Sequence, residues 1–242
     1  MATPRTRGRT VPRRNTTSTT IVIGVIVLAV VGLLGVGLFA ALGSRQSSVA
    51  ESRIPVAQAV RPLNAPTGLT PEGYAYKGSP DAPVKVVEYA DFECPGCANA
   101  EEIFGAQLNR YAEEGKIQFI YHELPLPQHP NAIPAATAAR CAGEQGRFWA
   151  MHDLLFARQR EWRGTSNIAP RLVRYAEELG LDRTAFEQCL NSGKYAQALE
   201  QAAQQAEQAG VTGTPTFFVN GQRVETAALI EAIEAALQAG SN

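Results

Sequence analysis

The chain has 242 residues, 45% of them hydrophobic and 19% charged, a composition that fits a folded globular protein and excludes a low-complexity or disordered one. Basic and acidic side chains nearly balance, 22 against 23, but residues 1–20 hold Arg5, Arg7, Arg9, Arg13 and Arg14 with no acid. Without those five arginines 17 basic groups face 23 acidic ones, a net of −6 that leaves no basic surface for nucleic acid.

The first predicted element follows this basic tail. Ile21 to Leu42 contains no charge, and as a helix at 1.5 Å per residue it reaches about 33 Å, enough to cross a hydrocarbon core of about 30 Å. The arginines keep their side cytoplasmic, so everything beyond residue 42 is expected outside the cytoplasm, in a compartment where disulfides persist. A cleaved signal peptide is the competing reading. The apolar run exceeds the usual 7–15 residue signal core, which favours an uncleaved single-pass anchor. Arg13-Arg14 lacks the hydrophobic continuation of a twin-arginine signal, and no Cys ends the apolar run to carry a lipid.

Residues 43–70, with Pro55, Pro62 and Pro66 among small polar residues, read as a linker. Residues 71–242 are one domain's worth of chain. Pro83–Tyr89 has strand character, with Val84, Val86 and Glu88 on one face. Pro95–Glu114 follows as a helix, with Ala100, Phe104, Leu108 and Tyr111 at helical spacing, and Gly115 stops it before a strand at Lys116–His122. A proline-rich loop spans Pro125 to Pro134. Helical patterns then fill a block over about 132–209, in which Gln197–Gln208 reads as a solvated helix. Thr216–Val219 is a strand, turned by Asn220-Gly221 into Gln222–Val224, and Thr226–Ala239 closes with a helix. A β-α-β unit, a helical block and a β-β-α unit fit an α/β thioredoxin-like sheet with a helical insertion.

Cys94-Pro95-Gly96-Cys97 sits between the first strand and the first long helix of this domain. Two cysteines two residues apart form a small, exchangeable disulfide, or alternatively half of a zinc site. A helix starting at Pro95 places Cys94 at its N-terminus, where free N–H groups stabilise a thiolate, and leaves Cys97 deeper as the resolving thiol. Glu88 ends an apolar strand; partly buried, it exchanges a proton with a nearby thiol, and at a solvated strand end it does nothing of the kind. Thr214-Pro215 before the Thr216 strand is a candidate cis turn whose backbone faces an extended substrate segment. His122, His129 and His152 lack ligand-like spacing to one another or to a cysteine and read as structural, so no metal is assigned. Phe148, Trp149, Leu154, Leu155 and Phe156 read as core and groove-lining residues.

The runs VKVVEYADFECPGC, PLPQHPNA…FWAMHDLLF and GVTGTPTFFVNG, in that order, resemble the DsbA-type thiol–disulfide oxidoreductases, in particular their membrane-anchored bacterial branch. The resemblance covers about residues 74–237. It implies Cys94 as nucleophile, Cys97 as resolving cysteine, Glu88 as the buried acid, and Pro215 as the cis-proline facing the disulfide with Thr214 before it. It also implies an envelope enzyme that needs no cofactor and forms disulfides in unfolded exported proteins bearing free thiols. Reoxidation falls to a membrane quinone reductase of DsbB-like or VKOR-like type. Gly96 departs from the strongest oxidants of the family, which carry His there. With Cys94 and Cys97 taken as the redox pair, Cys141 and Cys189 are left either as a structural disulfide across the helical block or as two buried thiols. Two other functions compete: an isomerase or reductase kept reduced by a membrane donor, and a module holding Cu(I) or Zn(II) on the cysteine pair.

Overall fold

A computed structural model describes residues 54–240. The expected basic tail and membrane anchor, residues 1–20 and 21–42, lie outside the described residues. Among the described residues no helix is long and apolar enough to cross a membrane.

Six strands form one sheet in the order β1-β2-β4-β3-β5-β6. They are β1 (Thr67–Leu69), β2 (Ala75–Lys77), β3 (Val84–Ala90), β4 (Ile117–Glu123), β5 (Thr216–Val219) and β6 (Gln222–Val224). A one-turn helix α1 (Val56–Ala59) precedes the sheet, and α2 (Pro95–Glu113) joins β3 to β4, which run parallel in the register Glu88 to Tyr121. All other pairings are antiparallel. Between β4 and β5 the chain makes α3 (Ala132–Gly143), α4 (Phe148–Ala157), α5 (Gln159–Trp162), α6 (Ala169–Glu178), α7 (Arg183–Asn191) and α8 (Ala196–Gln208). A 3₁₀ turn at Thr226–Ala228 and helix α9 (Leu229–Ala239) complete the domain.

Local chemistry explains several boundaries. Helix α2 begins with Pro95, whose missing N–H costs nothing in a first turn, and ends where Gly115 takes φ +70 and Lys116 N–H returns to the Tyr111 carbonyl at 2.9 Å. Asn220 and Gly221 both take positive φ, +47 and +79, as a tight hairpin turn requires, and Asn220 Oδ1 accepts from Lys85 N–H at 2.8 Å. Pro134, expected in a loop, is the third residue of α3, another position whose N–H has no helical partner.

One sheet face buries Val84, Val86, Phe119, Tyr121 and Phe217 against α2, α9 and the apolar faces of α3 and α4, and this is the main core. Phe148, Trp149, Leu154, Leu155 and Phe156 all belong to it. The opposite face is covered by α8, whose Ala202 packs on Tyr74 and Ile120 and whose Ala206 packs on Leu124 and Val211. Gln197–Gln208 is therefore not simply a solvated helix; its alanines let it lie close on the sheet. Cys141 of α3 and Cys189 of α7 are joined in a disulfide with Cα atoms 5.8 Å apart.

The expected linker 43–70 does not hold over its described part. Arg61 pairs with Glu101 and donates its N–H to Asp153 Oδ2 at 2.9 Å, and Thr67–Leu69 is a sheet strand. Pro55 is the N-cap of α1 and the Pro66 carbonyl accepts from Gly78 N–H at 2.8 Å, so this part is a bound segment rather than a free stalk. Strands β1 and β2, three residues each, carry too little alternation to be seen in the sequence.

Candidate active site

Strand β3 and helix α2 meet at a short loop, Asp91–Cys94, and the whole loop is buried. Asp91 organises it. Its Oδ1 accepts from Glu93 N–H at 2.7 Å, and its Oδ2 accepts from Leu126 N–H at 2.9 Å and pairs with His129 Nδ1 at 2.7 Å. Cys94 is the N-cap of α2, with φ −72 and ψ 122, and so stands where the first N–H groups of the helix are unpaired. Cys97, one turn on, is 0% exposed. Both are free thiols in this structure.

The cis Thr214–Pro215 bond lies against the pair. Cys94 Sγ is 3.4 Å from the Thr214 carbonyl oxygen. A Cβ built on Gly96 would stand 3.1 Å from Pro215 Cδ and 3.6 Å from Cys94 Sγ. Glycine at 96 thus lets the helix start and the cis-proline close to contact, and a side chain there must push them apart.

The two thiols are unequal. Hydrogen bonding from the Cys97 thiol, then from the Thr214 side chain and the N–H groups of Cys97 and Gly96, holds Cys94 down to about 5 against the opposing cost of burial. Burial, with Cys94 and Glu88 as neighbours, pushes Cys97 well above the ordinary thiol range. Glu88 is fully buried on β3. Loss of solvation, with Glu101 as a like-charged neighbour, raises its carboxyl to about 8, although Lys77 pulls the other way. Lys77 is itself 1% exposed, its ammonium 4.5 Å from the Trp149 ring and 4.9 Å from that of Phe119.

Cys94, Cys97, Glu88, Thr214 and Pro215 are therefore brought to one place, and the Cys141–Cys189 bond lies elsewhere, in the helical block. The histidines sit in three settings. His122 is stacked between Tyr74 and Tyr89, and burial drives it down to about 4. His129 holds Asp91. His152 is buried on α4 with Nδ1 3.0 Å from Asp153 Oδ1. Ligand atoms of Glu101, His152 and Asp153 lie within 4.8 Å of one another. Glu101 already pairs with Arg61, and Asp153 accepts from the Arg61 backbone N–H and lies against His152 Nδ1, so protein groups engage both carboxylates. Lys77, Asp91, Glu93 and Gln159 escape sequence reasoning because isolated polar residues in loops and short elements carry no period. A cavity of about 540 Å³ lined by Pro95, Ala98, Glu101, Asp153 and Gln159 adjoins the helix start. A larger groove of about 760 Å³, between α1, β1 and α4, contains neither free cysteine.

A parallel β-α-β unit with a dithiol at its helix start, faced by a cis-proline, defines the thioredoxin class of redox folds. The chain belongs to the thioredoxin family, whose model described as Thioredoxin matches residues 70–239. Its fold is that of DsbA-like thiol–disulfide oxidoreductases. MdbA, a thiol-disulfide oxidoreductase from Corynebacterium diphtheriae, superposes with TM-score 0.63 at 21% identity, covering 75% of this chain and 98% of that one. Oxidised BdbD from Bacillus subtilis gives 0.62 at 23%, covering 72% and 98%. A thioredoxin-like oxidoreductase from Silicibacter pomeroyi gives 0.56 at 26%, covering 70% and 94%. Among curated sequences, Na(+)/H(+) antiporter NhaA 3 of Salinispora tropica is 38% identical over 216 residues, 89% of this chain and 32% of that protein. NhaA 1 of Salinispora arenicola is 38% identical over 218 residues with the same coverages. The chain spans about a third of the length of these relatives.

Proposed function

We propose that this domain is the exchange unit of a membrane-anchored envelope oxidoreductase that forms disulfides in exported proteins. The observation that carries it is the unequal thiol pair, Cys94 low and Cys97 high, at the start of α2 and against Thr214. A substrate thiolate attacks Cys94 Sγ of the oxidised pair. The Cys94–Cys97 bond breaks, its electrons leave on Cys97, and Cys97 takes a proton for which Glu88 is the nearby donor. A second substrate thiolate then attacks the substrate sulfur of the mixed disulfide and expels Cys94 as a stable thiolate. The substrate loses two electrons and the enzyme gains them. The Thr214 backbone beside Pro215 offers an edge on which an extended chain aligns during both steps. Turnover requires a quinone-linked membrane oxidant of DsbB-like or VKOR-like type, and the apolar stretch 21–42 supports attachment to the same membrane.

A depressed nucleophile stabilises the reduced enzyme and so favours the oxidase direction over the isomerase or reductase one. The test is oxidation of a reduced, unfolded model protein together with a redox titration of the pair. Activity lost in Cys94→Ser and a potential nearer to about −120 mV than to −270 mV support the proposal. Full activity in Cys94→Ser overturns the assignment of the pair, and a potential near the lower value overturns its direction.

A further inference from the structure

Glu93, the residue before the nucleophile, is an acid only 1% exposed, and neither of its oxygens turns toward Cys94. Oε2 accepts from Asn131 N–H at 2.5 Å, and Oε1 accepts from Gly164 N–H at 2.7 Å and Asn131 Nδ2 at 3.2 Å. Asn131 Nδ2 also reaches the Trp162 and Thr165 carbonyls, so this knot belongs to the helical block on both sides of α5. On either side of Glu93 the backbone is held by one more residue of that block. Gln159 Nε2 donates to the Phe92 carbonyl at 2.8 Å and to the Cys94 carbonyl at 2.9 Å. Gln159 is 4% exposed, so these bonds are largely shielded from water.

The Cys94 carbonyl also takes the first helical bond of α2, from Ala98 N–H at 3.2 Å. Pro95 has no N–H to give. The peptide plane between Cys94 and Pro95 is therefore fixed from two directions, by the helix and by Gln159. That plane sets where the Cys94 side chain leaves the backbone, and hence whether Sγ meets the Gly96 and Cys97 N–H groups and the Thr214 carbonyl. A neutral amide suits this position because it supplies two N–H dipoles without adding a charge beside the thiolate.

We infer that Gln159, with Glu93 as its counter-anchor, is a positioning residue through which the helical block sets the reactivity of Cys94. The inference rests on Cys94 being the exchanging thiol, but its test needs no substrate. The thiolate of Cys94 is titrated by its ultraviolet absorbance in the reduced full chain, alongside thermal unfolding, in wild type, Gln159→Met and Gln159→Glu. Gln159→Met keeps length and volume and deletes both donors. We expect its midpoint to rise by about one unit, a tenfold loss in acidity, and its exchange equilibrium with glutathione to shift about tenfold toward the disulfide form. Gln159→Glu sets acceptors against two carbonyls and raises the midpoint further. A role confined to holding the fold lowers the unfolding temperature and leaves both midpoints at the wild-type value, which overturns the inference; so does failure of both variants to fold. A wild type that titrates as described but oxidises no protein sinks the proposed function and leaves this result standing.

Discussion

At the scale of single residues the site is organised by contrasts in solvation. Glu88 is buried on the same core face as Val84 and Val86, and its carboxyl is raised to about 8. The sign of the effect follows from linkage. Below the unfolded carboxyl range, near 4.3, both states are protonated and burial costs little charge. As pH rises toward 8 the unfolded chain ionises first, so native stability declines. We expect Glu88→Gln, in the oxidised protein, to match wild type near pH 4.5 and to exceed it at pH 7 by roughly 3 kcal/mol, or about 6–12 °C in the unfolding midpoint. A stability difference that does not change with pH in thermal melts would contradict this origin. Glu88 and the cysteines were legible in the sequence because the strand alternates and the Cys-Pro-Gly-Cys run opens a helix. Glu93 was not, because a lone acid in a four-residue loop looks like any solvated charge until Asn131 and Gly164 are folded onto it.

At the scale of elements the helical block carries its own fastening. The Cys141–Cys189 bond links α3 to α7 across a sequence separation of 48. Closing a loop of that size in the unfolded chain contributes about 4 kcal/mol in the chain-entropy account. Cys141→Ala/Cys189→Ala is expected to lose most of that in urea unfolding while the potential of the Cys94–Cys97 pair stays unchanged, since neither residue touches it. A shift in potential would show that strain in the block reaches the site. Strand β5 and its Asn220-Gly221 turn were readable because turn chemistry and alternation agree there. Strands β1 and β2 were not: three residues cannot display a period, and their existence depends on pairing with β4. Gln159 shares this fate, since a single-turn helix gives no pattern from which a buried amide can be recognised.

For the whole molecule the consequence is a fold whose stability depends on its redox state. In the reduced protein Cys94 titrates near 5, against an ordinary value near 8.5 when unfolded. A depressed group contributes nothing below its folded value, gains as pH rises through the window between the two, and is complete above the unfolded value. At pH 7 the contribution is about 2–3 kcal/mol. Denaturant unfolding of reduced wild type against reduced Cys94→Ala checks this: the gap should widen from pH 5 to pH 8, and a constant gap would refute it. The oxidised protein has no thiolate to stabilise and should lack the trend. The described extent of the domain also exceeds what composition suggested, because Arg61 binds Glu101 and Asp153 from a segment whose prolines imitate a free tether.

In the proposed exchange, the inequality of the two thiols also governs how long any partner stays attached. A sulfur that leaves as readily as Cys94 makes each covalent encounter brief, and Cys97, poised one turn below, shortens it again whenever the partner has no second thiol to offer. A site that exchanges in this way is built to let go. Removing Cys97 while keeping Cys94 takes away the internal escape route, so that a client with a single reactive cysteine stays bonded until an outside reductant frees it. The burial of one sulfur thus decides whether the encounter leaves a record of which proteins passed through.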